Sequence, residues 1–189
     1  MSYKYLDIAT TASVAAAQEH YGSAEQWTRI GARGPADDTQ SQRLGPSETA
    51  FIRARDGFYL ASVSETGWPY VQYRGGPAGF LTAVDASMLG FADFRGNRQY
   101  ITTGNVRAND RVSLFLMDYA HRQRLKIFGH MRIIDAADDP VLAKTLTVPD
   151  YPARVERLVL IAVEAFDWNC PQHITPRFTQ AELERGRSA

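Results

Sequence analysis

The spacing of apolar residues changes near Phe58. Upstream it is helical. TTASVAAAQEHYG (10–22) is an alanine-rich helix stopped by Gly22, and SAEQWTRIGARG (23–34) is a second, with Ser23 as N-cap and Glu25 close behind. GARGPADDTQSQRLGP (31–46) is a loop by composition. PSETAFIRARDG (46–57) is a short amphipathic helix with Ala50, Phe51 and Ala54 on one face and Gly57 at its end. From Phe58 alternation takes over. FYLASVSE (58–65) and PYVQYRGG (69–76) read as strands of a hairpin turning at Gly67, and GFLTAVD (79–85) and SMLGFADF (87–94) as two more. NRQYITTGN (97–105) predicts a short helix ended at Gly104. RVSLFLMD (111–118) and RQRLKIFGHMRIID (122–135) are long strands; in the second, Leu125, Ile127 and Met131 point one way, Arg124, Lys126 and Phe128 the other. DDPVLAKTL (138–146) is a helix capped by Asp138 or Asp139 with Pro140 at its first position. VERLVLIAVEAFDW (155–168) is the last strand, and TQAELERGRS (179–188) a terminal helix with a capping box, Thr179 and Glu182.

Six or seven strands, mostly joined by hairpins and interrupted by one short helix, predict an antiparallel barrel rather than a doubly wound parallel sheet. The 189 residues suit one domain with terminal additions. Lys+Arg and Asp+Glu both number 21, so no global field recruits nucleic acid or an acidic membrane surface, and any anion site is local. The single cysteine, Cys170, gives no intrachain disulfide and suits a reducing compartment. With no signal-like start and no long apolar run, the expectation is a soluble cytoplasmic protein.

Candidate chemistry concentrates where FADF runs into the predicted helix. Gly96, Asn97, Arg98 and Gln99 place a forked guanidinium and two amides beside a helix start, whose backbone N–H groups lack partners and carry partial positive charge. That is a phosphate cradle, without the spacing of a Walker loop or a dinucleotide fingerprint. The alternative is a surface turn with Asn97 as N-cap and Arg98 in solvent. Arg74, followed by Gly75 and Gly76, lets a flat ligand approach the backbone. Arg124 and Lys126 share a strand face, as ligand contacts or as an ordinary solvent face. Trp168, Asn169, Cys170, Gln172, His173 and Arg177 crowd after the last strand. They offer a flat apolar surface and two polar groups, or form a loop shaped by Pro171 and Pro176. One cysteine and one histidine make no zinc site. His20, His121 and His130 read as ordinary surface or strand histidines.

The order FYLASVSETGWPYVQYRGGP, GFADFRGNRQYITTGN, RVSLFLMD, RLKIFGHMRII resembles the pyridoxamine 5′-phosphate oxidase-like FMN-binding split barrels, over roughly Phe51 to Asp135. The resemblance implies an antiparallel Greek-key split β-barrel, mainly β with peripheral helices. It implies that Asn97, Arg98 and Gln99 hold the FMN phosphate and that Gln72, Tyr73, Arg74 and Gly75 lie along the flavin. Arg124, and after it Lys126, would sit by the ring. Asp93 on the strand entering the cradle, and Trp168, Gln172, His173 and Arg177 beyond the last strand, complete the cofactor-binding set; no catalytic residue or metal ligand is assigned. It also implies a homodimer with FMN at the interface. Authentic members carry a serine-arginine-lysine run where this chain has Asn97-Arg98-Gln99. They also end in Arg-Leu-Ala-Pro, where this chain has FDWNCPQHITPRF and a charged tail. The expectation is therefore an FMN-dependent oxidoreductase of a small molecule, not the vitamin-B6 enzyme. An F420-binding reductase of the same fold is the alternative, as is a non-catalytic flavin- or haem-binding module with His173 as the haem ligand. The expected organisation is a helical extension (1–46), the flavin-binding barrel (47–170) and a C-terminal segment with a helix (171–189).

Overall fold

Apolar residues from Gly57 onward build seven strands whose alternating positions face a common core; Leu158 to Ile161 are buried in succession, Leu158 and Leu160 packing with Ala92 and Leu146 in a second cluster. The computed structural model describes residues 3–32, 42–168 and 171–187. The strands are β1 (Gly57–Val63), β2 (Pro69–Gly75), β3 (Thr82–Asp85), β4 (Met88–Phe94), β5 (Arg111–Asp118), β6 (Gln123–Asp135) and β7 (Val155–Trp168). They form one antiparallel sheet in the order β2-β1-β5-β6-β7-β4-β3. Its concave side holds Phe58, Leu60, Leu89, Phe91, Leu114, Leu125, Ile127 and Ile161, each worth about 1.5–3 kcal/mol on full burial. In β6, Leu125, Ile127 and Met131 are buried, while Arg124, Lys126 and Phe128 lie on the half-exposed side.

The sheet curls until β2 approaches β4, and side chains rather than a backbone ladder join them. Arg74 on β2 reaches Asp93 on β4 at 2.8 Å, and Phe58 meets Phe91 edge to face with centroids 5.6 Å apart. The result is the expected split barrel, mainly β with peripheral helices.

The helices are α1 (Lys4–Ala9), α2 (Ala12–His20), α3 (Ala24–Ala32), α4 (Pro46–Arg53), α5 (Ile101–Ala108), α6 (Pro140–Leu146) and α7 (Gln180–Arg187). Asp139 caps α6 by accepting from Leu142 N at 2.9 Å, and Thr179 and Glu182 make the reciprocal bonds that start α7. Much of the expected loop at 31–46 lies outside the described residues. The short helix α1 has no counterpart in the apolar spacing. It is held on the outer face of β6 and β7 by Tyr5 stacked on Phe128 at 4.7 Å, the Tyr3 hydroxyl donating to Asp167 at 2.5 Å and Lys4 paired with Glu164 at 2.6 Å. Among the described residues no helix is long and apolar enough to cross a membrane.

The helix after β4 departs from expectation. It begins at Ile101 rather than Asn97 and runs through Gly104 to Ala108. Thr102, Asn105 and Val106 are buried, and Asn105 Nδ2 donates to Ser62 Oγ on β1 at 3.0 Å. That packing carries the helix past a glycine whose intrinsic cost is about 1 kcal/mol.

Candidate functional site

Residues 95–100 therefore form a loop between β4 and α5. Arg98 and Tyr100 adopt left-handed backbone, φ 62° and 55°, at a cost of order 1–2 kcal/mol each for non-glycine residues. Asn97 shapes the loop by accepting from Gln99 N at 3.2 Å, and Arg98 Nε donates to the Tyr100 hydroxyl at 3.0 Å. The loop, the first turn of α5, the inward face of β2 and the start of β7 enclose a cavity of about 210 Å³.

Each wall contributes donors. On β2, Gln72 and Arg74 pair across the ladder with the buried Leu60 and Phe58, so both side chains turn inward with Tyr70. Gln72 Oε1 accepts from the Thr102 hydroxyl at 3.2 Å, tying β2 to α5. No side chain caps α5, so the backbone N–H groups of Ile101, Thr102 and Thr103 stand at the wall without intrahelical partners. Arg74 Nε is buried with no hydrogen-bond partner.

Behind the wall a buried charge cluster sets the arginines. Asp93, 4% exposed, accepts from Arg74 Nη1 at 2.8 Å and from Arg157 Nε and Nη2 at 2.9 and 2.6 Å. Burial works against the Arg157 charge, but the bonds and charge of Asp93 outweigh it and raise the guanidinium above its ordinary range. Arg157 also lies 4.6 Å from the centroid of the Tyr100 ring. Glu156 on the same wall is 3.6 Å from both Arg95 and Arg157. Three lining arginines, 74, 98 and 157, against Glu156 and the buried Asp93 leave the cavity one positive charge in excess. That excess favours an anion over a cation.

Gln72, Arg74, Asn97, Arg98 and Gln99 thus meet around one cavity. Asp93 holds two of its arginines from behind. Tyr73 points the other way, against Tyr59 with centroids 5.6 Å apart, and borders with Gly75 and Asp93 a smaller neighbouring cleft. The remaining candidates lie elsewhere. Lys126 is paired with Asp167 at 2.6 Å beneath the Tyr5 ring. Arg124 lies 5.6 Å from the centre of the Phe115 ring, its Nε buried without a partner. Trp168 donates to Glu48 at 2.8 Å and packs on Phe51. Gln172 and His173 are exposed, and Arg177 sits over the Tyr119 ring at 5.0 Å. Asn169 and Cys170 lie outside the described residues. Sequence reasoning missed Arg157, Thr102 and Glu156. The one signal for Arg157 was a charged residue near the start of an otherwise apolar strand.

Residues 44–165 match the family model described as pyridoxamine 5′-phosphate oxidase. Among solved structures, a putative pyridoxamine 5′-phosphate oxidase from Lactobacillus delbrueckii is 20% identical with a TM-score of 0.51, over 67% of this chain and 94% of that one. HupZ of Group A Streptococcus is 13% identical with a TM-score of 0.50, over 71% and 99%. At such identities the likeness is one of fold. No curated protein matches the chain.

Proposed function

The chain belongs to the pyridoxamine 5′-phosphate oxidase family, and from that premise we propose that it is an FMN-binding flavoprotein that acts as an oxidoreductase on a small molecule. The observation that carries the reading is the meeting of Arg74, Arg98 and Arg157 with Asn97 and Gln99 around one net-positive cavity, beside the uncapped start of α5. A phosphate monoester suits this set of donors. Arg98 and Arg74 hold it by charge-assisted bonds, the N–H groups of Ile101 to Thr103 by the helix terminus, and Asn97 and Gln99 by their amides.

At about 210 Å³ the cavity falls below the roughly 300–1,000 Å³ of sites that enclose drug-sized ligands. It suits the phosphate end, and the flavin ring belongs outside it. The outward face of β1 and β2 presents Tyr59, Val71 and Tyr73, the last two 60% and 57% exposed. This supports a homodimer that covers the ring with a second copy of the chain. Arg124, with its own unpartnered Nε, is assigned to the ring's polar edge. Bound FMN would supply hydride and electron transfer; the protein's part is binding, orientation and electrostatics.

The test is a pair of titrations. Arg98→Ala should weaken FMN binding on the order of tenfold or more and leave riboflavin, which lacks the phosphate, unchanged. Equal FMN affinity in variant and parent refutes the phosphate cradle. Mass identification of any chromophore released from the purified protein decides between FMN, F420 and haem.

A further inference from the structure

A second cavity lies at the far end of β7 from the first. Its volume is about 780 Å³, inside the range of sites that enclose small organic ligands. One wall is aromatic: Phe51 of α4 and Trp168 meet edge to face, centroids 4.8 Å apart, with the indole N–H fixed on Glu48. The opposite wall is the turn between β5 and β6, and it carries an aspartate–histidine pair.

Asp118 is buried and accepts from the His121 backbone N–H at 2.9 Å, with His121 Nδ1 3.0 Å from each carboxylate oxygen. Arg55 pairs with the same carboxylate at 2.9 Å and donates to the carbonyls of Phe51 and Met117. Arg55 and His121 thus share one carboxylate. The His121 ring is held through Nδ1, which leaves Nε2 without a partner among the described residues, on a side chain that lines the cavity. Arg122, also on the lining, has no ion-pair partner among the described residues and sits on left-handed backbone, φ 55°.

We propose that this cavity is a second small-molecule site, selective for aromatic carboxylates. The ligand's ring packs on the exposed side of Trp168, which the buried Phe51 backs, and its carboxylate accepts from His121 Nε2–H and from Arg122. Asp118 accepts from Nδ1–H, so in the doubly protonated ring Nε2 is the donor that faces the ligand. Both selectivity elements are required. The aromatic wall alone would take any apolar molecule, and the two cations alone any anion. The proposal uses no residue of the phosphate cavity and stands independently of the cofactor reading.

Ethoxyformylation of histidines by diethyl pyrocarbonate, followed by peptide mass mapping of the protein as purified, tests it with benzoate as the probe. His130 is the internal comparator, because its Nδ1 also lies 3.0 Å from a carboxylate, Asp110, but outside this cavity. Benzoate at about twice its Kd should slow modification of His121 roughly threefold and leave His130 unchanged. Arg122→Ala should remove that protection while His121 stays reactive. Three results overturn the proposal: a His121 rate indifferent to benzoate, protection by acetate equal to that by benzoate, or a His121 that does not react at all.

Discussion

Replacing Asp93 by asparagine keeps the shape of the side chain and removes the charge that Arg74 and Arg157 share. The two guanidinium side chains are 16% and 15% exposed, and three bonds of 2.8, 2.9 and 2.6 Å converge on the carboxylate. Breaking a buried pair by removing one partner costs about 3–5 kcal/mol, because the remaining charge is left uncompensated. Asparagine retains one carbonyl acceptor, which places the expected loss near the lower end, about 3 kcal/mol. For a chain of this length that corresponds to a fall in Tm of roughly 6–12 °C. Thermal unfolding of the cofactor-free protein measures it. A second arm measures the variant with inorganic phosphate or FMN. The substitution makes the cavity more positive by one charge, so an anion should stabilise the variant more than the parent and narrow the gap. A fall in Tm of less than about 2 °C, under 1 kcal/mol, would refute the idea that Asp93 is the charge anchor between β2, β4 and β7.

Two further outcomes follow from the same physics. Burial pushes the Asp118 carboxyl up, but the His121 hydrogen bonds and the charge of Arg55 outweigh it and hold it below the ordinary range. Its pairing therefore stabilises the fold above a pH of about 3.9 and is lost as pH falls through the lowered folded value. Urea midpoints of the parent should drop more steeply below pH ~4 than those of Asp118→Asn, and parallel profiles would contradict this. At the β6 bulge, a Cβ on Gly129 would stand 2.6 Å from the Ala162 carbonyl oxygen and 2.7 Å from Ile161 Cγ2. Neither the backbone of β7 nor a buried isoleucine gives way cheaply. Gly129→Ala should cost about 1–3 kcal/mol in urea unfolding, and an unchanged midpoint would show that the bulge relaxes freely.

Strands β1, β2, β5 and β6 were legible because alternation over seven or more residues is unambiguous, and β6 kept its expected sides residue by residue. The caps of α6 and α7 were legible because Asp139 and Thr179 act on neighbours within three positions. What failed had non-local causes. Asn97 and Gly104 imitate the start and stop of a helix, yet burial of Asn105 and Val106 against the barrel moves both boundaries toward the C-terminus. Helix α1 buries only Tyr5, so nothing periodic announces it. The pairing of Asp93 with Arg157 is a matter of register between β4 and β7, which places the two residues opposite each other across 64 positions of sequence. His121 looked ordinary because its partner Asp118 reads simply as the last residue of a strand, and only the turn brings the carboxylate to Nδ1.

The location of the cavity between β2 and α5 follows from how the barrel is left open. A backbone ladder between β2 and β4 would satisfy both strands and leave no room for a ligand. Instead the gap is filled by Arg74, Asp93 and Arg157, three charged groups almost withdrawn from water. As a way of joining two strands this is inefficient, since an apolar seam of similar volume is often as stable or more so. With Glu156 beside Arg157 the cluster is balanced, and Arg98 on the same cavity leaves one positive charge in excess. Packing does not account for that excess. On the proposed reading, an anion held between β2 and the start of α5 balances it and links the two sides of the split.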